Sequence, residues 1–250
     1  EVARDLGAVR DVAALPPHVA RALARVSAAV AEATQTGQWT AEGRIAGSLE
    51  PMTLRRFSHV PREEGGLEGA LQYTGEIFAA RVNAIAVADA DDGDTLRPDG
   101  SYVGAVLGNW MLTAGWLDRW WGPGWEGSLI LGTNQRPIPA FSLERNYSDP
   151  FESPWLAWIG RWRLAVTYGL LDDEREDYAN AHFFGMRITW KPHPRLEIGL
   201  SRSAQLCGDG RDCGLDTFWD MFTGKDNDQA PQDQPGNQMG GLDFRWSLPW

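Results

Sequence analysis

From Trp39 onward, apolar and polar residues alternate with a period of two, the spacing at which successive strand side chains point to opposite faces. In segment 162–170 one face reads Trp162, Leu164, Val166, Tyr168 and Leu170, and the other Arg163, Ala165, Thr167 and Gly169. Segment 182–191 sets His182, Phe184, Met186, Ile188 and Trp190 against Phe183, Gly185, Arg187, Thr189 and Lys191. Segments 77–88, 195–206 and 242–248 repeat the pattern, and weaker versions occupy 39–49, 67–74, 101–107 and 110–117. About ten antiparallel strands are predicted. Arg202 breaks the alternation, and a β-bulge that turns it inward is the expected remedy.

The start of the chain follows another period. After Pro16-Pro17 come Val19, Leu23, Val26, Val30 and Ala33, one apolar stripe on a helix that Thr36-Gly37 ends. Residues 1–37 are therefore predicted to be a helical segment, and 38–250 a strand domain.

A soluble sandwich also alternates, so two further features decide between the options. Tight turns are expected at Gly75, Gly108-Asn109, Gly160-Arg161 and Lys191 to Pro194, separated by long polar stretches at 89–100, 171–181 and 207–240. Membrane barrels show this asymmetry, with short turns at one rim and long loops at the other. Phe78, Trp110, Trp162, Trp190 and Trp246 all fall on the apolar face beside expected short turns, as an aromatic girdle requires. The fold class predicted is an all-β transmembrane antiparallel barrel with an N-terminal helical segment.

Composition sharpens this reading. A mean hydropathy of −0.36 looks soluble, but alternation between lipid and lumen cancels in any average. Thirteen Trp and 28 Gly suit interfacial belts and crowded bends. A formal charge of −11 excludes nucleic acid as a partner, since phosphate binding needs clustered Lys and Arg. Cys207 and Cys213 bracket a short loop and read as a disulfide staple formed in an oxidising compartment. The rival reading, a metal site, lacks a nearby His or further Cys in the sequence.

Residues 116–146 fit no regular strand, and the run of Trp around Gly122-Pro123-Gly124 would be costly as an exposed loop. The stretch is expected to fold inward or cap the outer mouth. Its run Trp120-Trp121-Gly122-Pro123-Gly124-Trp125-Glu126-Gly127-Ser128-Leu129-Ile130, with Arg136-Pro137, resembles the Wzi capsule-assembly outer-membrane family. So do Leu196-Glu197, Gly199 and Ser201-Arg202. Further matches are Phe218-Trp219-Asp220, Thr223 to Asn227, Pro235 to Gln238, Gly241 to Phe244 and Leu248-Pro249-Trp250. The resemblance implies a plugged barrel of roughly eighteen strands in the Gram-negative outer membrane, of which this chain is the N-terminal part. It also implies a periplasmic N-terminal helix, extracellular long loops, and a lectin-like role in anchoring capsular polysaccharide.

Sugar binding needs flat aromatic faces together with carboxylates, amides and cations for hydroxyl groups. Trp219, Asp220, Lys225, Asp226 and Asn227 supply these types on one long outer loop. The inward segment supplies Trp120, Trp121, Trp125, Asn134 and Arg136, but those Trp residues are expected chiefly to pack a plug together with Gly122, Pro123, Gly124 and Glu126. Arg44, Arg81, Arg163, Arg187, Arg195 and Arg245 are expected to face the lumen, where they could line an anion path or pair with Glu126, Glu144 and Glu152. Enzyme signals are poor: four His, no zinc motif and no phosphate loop, with 172–177 reading as a solvated acidic loop tip. The reading is a monomeric, non-enzymatic surface protein with no cofactor and no metal, whose partners are surface polysaccharide and outer-membrane lipid. The alternative is a diffusion porin with an open lumen.

Overall fold

The computed structural model describes residues 1–9, 11–51, 57, 61–90, 92–171, 179–211, 213–223, 225 and 236–248. Two helices open the chain, α1 (Val2–Gly7) and α2 (Pro17–Ala33). Among the described residues eleven strands then form one sheet: β1 (Gln38–Gly47), β2 (Gly65–Thr74), β3 (Phe78–Ala88), β4 (Leu96–Arg97), β5 (Tyr102–Leu107), β6 (Trp110–Gly115), β7 (Ala140–Arg145), β8 (Arg161–Leu170), β9 (His182–His193), β10 (Leu196–Leu206) and β11 (Gly236–Trp246). A third helix, α3 (Leu215–Thr223), lies between β10 and β11. Every neighbouring pair is antiparallel, and β4 is a short addition beside β3. The sheet is open, with β1 and β11 at its edges among the described residues.

Burial is inverted relative to a soluble protein. On β7, Phe141 is 73% exposed while Ser142 on the opposite face is buried. On β3, Phe78, Val82, Ala84 and Ala86 are exposed, and Asn83 is buried. On β9, Arg187 keeps only 7% of its surface. An apolar face turned outward and a polar face turned inward suit lipid outside and a polar lumen within. No described helix is long and apolar enough to cross a membrane.

The pairing register places Phe78, Trp110, Trp162, Trp190 and Trp246 on the outward face at the short-turn ends of their strands, as expected. Trp39 and Tyr73 join this belt, with ring centroids 5.0 Å apart. Connections at the other rim are the long ones: 48–64, 89–101, 116–139, 171–181 and 207–235.

Four expectations are corrected. Gly160-Arg161 is not a tight turn, because 146–160 joins β7 to β8 and includes a 3-10 turn at Ala157–Ile159. Lys191 to His193 continue β9, leaving the turn at Pro194-Arg195. Residues 140–145, read as part of an irregular stretch, form β7, with Phe141 and Leu143 outward. Arg202 needs no bulge: its register with Met186 and Gly240 is regular, and it stays on the outward face. Its guanidinium is satisfied there by α3, donating to the carbonyls of Met221 (2.5 Å) and Phe222 (2.8 Å) and to Gln238 Oε1.

Candidate functional site

The segment 116–139 leaves β6 at the long-loop rim and runs over the inward face. Trp121 is buried with Leu131 and Phe183, and Ile130, Ile138, Ala165 and Leu171 pack around them. Gly185 makes room for this: a Cβ there would sit 2.8 Å from the Trp121 ring. Farther along, Ile130 approaches Gly241 on β11. The Gly122-Pro123-Gly124 turn is closed by Ser128 Oγ donating to the Trp121 carbonyl (2.6 Å) and Trp120 Nε1 donating to Gly124 O (3.1 Å). The segment therefore enters the lumen side, as its apolar content required.

Arginines pin it there. Arg62, from the long connection 48–64, donates to the carbonyls of Thr133 (3.0 Å), Asn134 (2.7 Å) and Gln135 (2.8 Å). Arg119 donates to Ser142 Oγ at 3.0 Å. Arg136 reaches Asp92 and Asp94 at 2.8 Å and Asp99 at 3.3 Å. Burial alone would lower the Arg136 pKa, but the bonds to Asp99 and Asp94 raise it above its ordinary value. Asp92 also accepts from Arg97 at 2.7 Å, and Arg97 in turn pairs with Glu63 at 2.5 Å. Burial would raise the Asp92 carboxyl, yet Arg97 and Arg136 hold it down at about 2. Arg62, Asp92, Asp94, Asp99 and Arg97 were not singled out from the sequence, where they read as loop polarity. Only a charge-pairing argument between distant loops could have found them.

The lumen arginines pair chiefly with carboxylates of the wall, not with loop acids. Arg44 meets Glu68 at 2.9 Å and Arg81 meets Glu42 at 2.8 Å. Arg187 grips Asp243 with two bonds, at 2.7 and 2.8 Å, and donates to Ser201 as well. Arg163 lies 4.0 Å from Glu144, the expected partner that is part of β7. Arg245 occupies the inward register position opposite Glu197. A cavity of about 630 Å3 lies between β1–β3 and the inward segment, lined by Glu42, Arg44, Glu68, Arg81, Asn83 and Asp118 among others.

Three aromatic rings gather where the 48–64 connection meets the inward segment. Phe57 lies 4.6 Å from Trp120 and 6.3 Å from Trp125, edge-on to the latter. Among the described residues Trp125 is left 70% exposed. Glu126 next to it is exposed.

A family model described as capsule assembly protein Wzi matches residues 35–250. The chain belongs to this Wzi family. It is 32% identical, over 232 residues, to an uncharacterised 55.8 kDa protein in the cps region of Klebsiella pneumoniae, covering 92% of this chain and 44% of that one. It also resembles the solved structure of Wzi from Escherichia coli, described as an outer membrane protein involved in group 1 capsule assembly and a carbohydrate-binding β-barrel. The TM-score is 0.79 at 25% identity, over 98% of this chain and 52% of that one. The chain spans about half the length of these relatives.

The remaining expected residues of this Wzi-family chain are distributed as follows. Trp219 and Asp220 lie on α3, Trp219 exposed and Asp220 half-buried, and Lys225 is exposed just beyond. Asp226 and Asn227, like the acidic run 172–177, lie outside the described residues. Cys207 and Cys213 form the expected disulfide, with Cα atoms 4.8 Å apart. His182 sits beside it, Nδ1 4.0 Å from Cys213 Sγ and 2.5 Å from the Tyr168 hydroxyl. Three potential metal ligands thus gather, but two are spent on the S–S bond.

Proposed function

We propose that this chain is the N-terminal part of an outer-membrane barrel that binds and anchors capsular or other surface polysaccharide without catalysing a reaction. The observation that carries the reading is the inward segment: it lies along the inward face and gathers Trp120 and Trp125 with Phe57 of the 48–64 connection into one aromatic cluster. Flat rings beside polar groups are what sugar C–H faces and hydroxyls require. A porin needs that space open, so the segment favours anchoring over diffusion.

In this reading the long connections are extracellular and residues 1–37 periplasmic. The first helix supports that orientation by docking on the short-turn rim. Arg4 pairs with Asp149 at 2.7 Å and stacks over Tyr147, and Glu1 bonds Ser148. Trp219, Asp220, Lys225, Asp226 and Asn227 remain a candidate sugar surface by residue type. The cluster of Phe57, Trp120 and Trp125 is preferred because α3 packs on the outer wall.

The experiment compares cell-associated and shed polysaccharide in cells expressing full-length wild type or Trp125→Ala at equal membrane abundance. Loss of one stacking contact contributes about 1 kcal/mol, several-fold in affinity, so more polymer should be shed. Unchanged retention in Trp125→Ala combined with Phe57→Ala would defeat the assignment of this platform.

A further inference from the structure

The wall helix α3 presents three faces. Met221 is buried against Phe184, Ala204, Leu206 and Cys207, with Phe218 and Val166 packed beside them. Phe218 meets Phe184 edge-on at 5.2 Å. At 3.6 residues per turn, Asp216, Asp220 and Thr223 fall together on a second, polar arc. Leu215, Trp219 and Phe222 share the third, at spacings of four and three residues. Among the described residues this third arc is largely open: Leu215 is 90% exposed and Trp219 60% exposed, while Phe222, stacked 6.2 Å from Trp219, carries the Arg202 guanidinium over its ring at 5.4 Å. The apolar arc is wider than packing on the wall requires.

Position tells what the extra arc meets. The strand residues under α3 belong to the outward face, which continues past Arg202, itself bonded to α3, into exposed Leu200, Leu242 and Phe244. Ala204 stands eight residues along β10 from Leu196 at the short-turn rim. At about 3.4 Å per residue and a tilt of about 40°, this is roughly 20 Å, close to the top of an apolar band roughly 25 Å tall. The long-loop ends of the strands show why a helix is useful there. β7 and β8 carry outward Phe141 and Tyr168 at that height, but β9 to β11 offer His182, buried Phe184, Ala204 and Gln238. The outer aromatic belt is interrupted over these three strands.

We propose that α3 is an interfacial helix that completes this belt, with Leu215, Trp219 and Phe222 immersed among the acyl chains of outer-leaflet lipid. Its polar arc then faces the headgroups. Arg202 anchors it from the wall, and the Cys207–Cys213 disulfide fixes its entry. The proposal rests on the membrane reading of the fold and is independent of any carbohydrate site.

The test uses the full-length protein inserted in phosphatidylcholine vesicles with or without bromine on the acyl chains. The emission difference between wild type and Trp219→Phe isolates Trp219, because the substitution keeps a ring at an exposed position. That difference should vanish in brominated vesicles and resist iodide added to the water. Leu215→Trp in the Trp219→Phe background moves the reporter one turn along the same arc and should behave alike. Quenching of both reporters by iodide and not by bromine overturns the proposal. Shielding that develops only on addition of capsular polysaccharide also overturns it, and makes α3 a carbohydrate surface.

Discussion

Replacing Arg187 by Met in the full-length protein should lower its unfolding free energy by about 3–5 kcal/mol, the range for orphaning one member of a buried ion pair. The guanidinium meets both Asp243 oxygens, at 2.7 and 2.8 Å, and also donates to Ser201 Oγ at 2.7 Å. The two side chains retain 8% and 14% of their exposure, so Asp243 would recover little hydration once its partner is gone. Met fills similar length but restores no donor. The pair also spans a strand. It lies over Gly199 of β10, where any Cβ would overlap the guanidinium and the carboxylate, so it ties β9 to β11. The assay is urea unfolding in lipid vesicles, followed by heat-modifiable gel mobility, for Arg187→Met, Asp243→Leu and the double variant. The double variant should cost less than the sum of the singles, because it leaves no unpaired charge. Strict additivity, or single costs below about 1 kcal/mol as for exposed pairs, would refute the reasoning and mean that water reaches the pair freely.

Three further outcomes are expected. Asp92 has a folded pKa of about 2 against an ordinary 3.8, so its stabilising bonds to Arg97 and Arg136 are present above pH 4 and lost as pH falls toward 2. Protease sensitivity of the 89–101 connection should rise in that window, and Asp92→Asn should be sensitive throughout. Opening the Cys207–Cys213 loop, whose partners are six residues apart, should cost about 2 kcal/mol on a chain-entropy account and expose α3 to proteolysis first. Trp121→Ala should cost about 3–5 kcal/mol through the cavity left beside Leu131 and Phe183. Planar-bilayer recordings should then show conductance that wild type lacks, and an already conducting wild type would favour the porin reading.

How far the sequence reached depended on the range of the interaction involved. Period-two alternation is a local consequence of the pleat. It sufficed to locate β3, β8, β9 and β10, to assign their faces, and to place Trp110, Trp190 and Trp246 on the outward rim. The close cysteines were legible for the same reason, since their separation alone permits a short bridge. β7 escaped because its six residues follow an irregular stretch and are too few for a period to declare itself. α3 escaped because a nine-residue amphipathic run in a polar loop has no meaning until there is a wall to bury Met221 against. Arg202 shows the same limit. Alternation placed it outward correctly, yet only the fold supplied the carbonyls of Met221 and Phe222 that make a charge tolerable there. The platform of Phe57, Trp120 and Trp125 likewise joins two connections far apart in sequence, held in place by contacts between loops that no local pattern encodes. Strand faces follow from the chain itself; which side chains satisfy a buried or misplaced charge is decided by partners that only tertiary structure brings within reach.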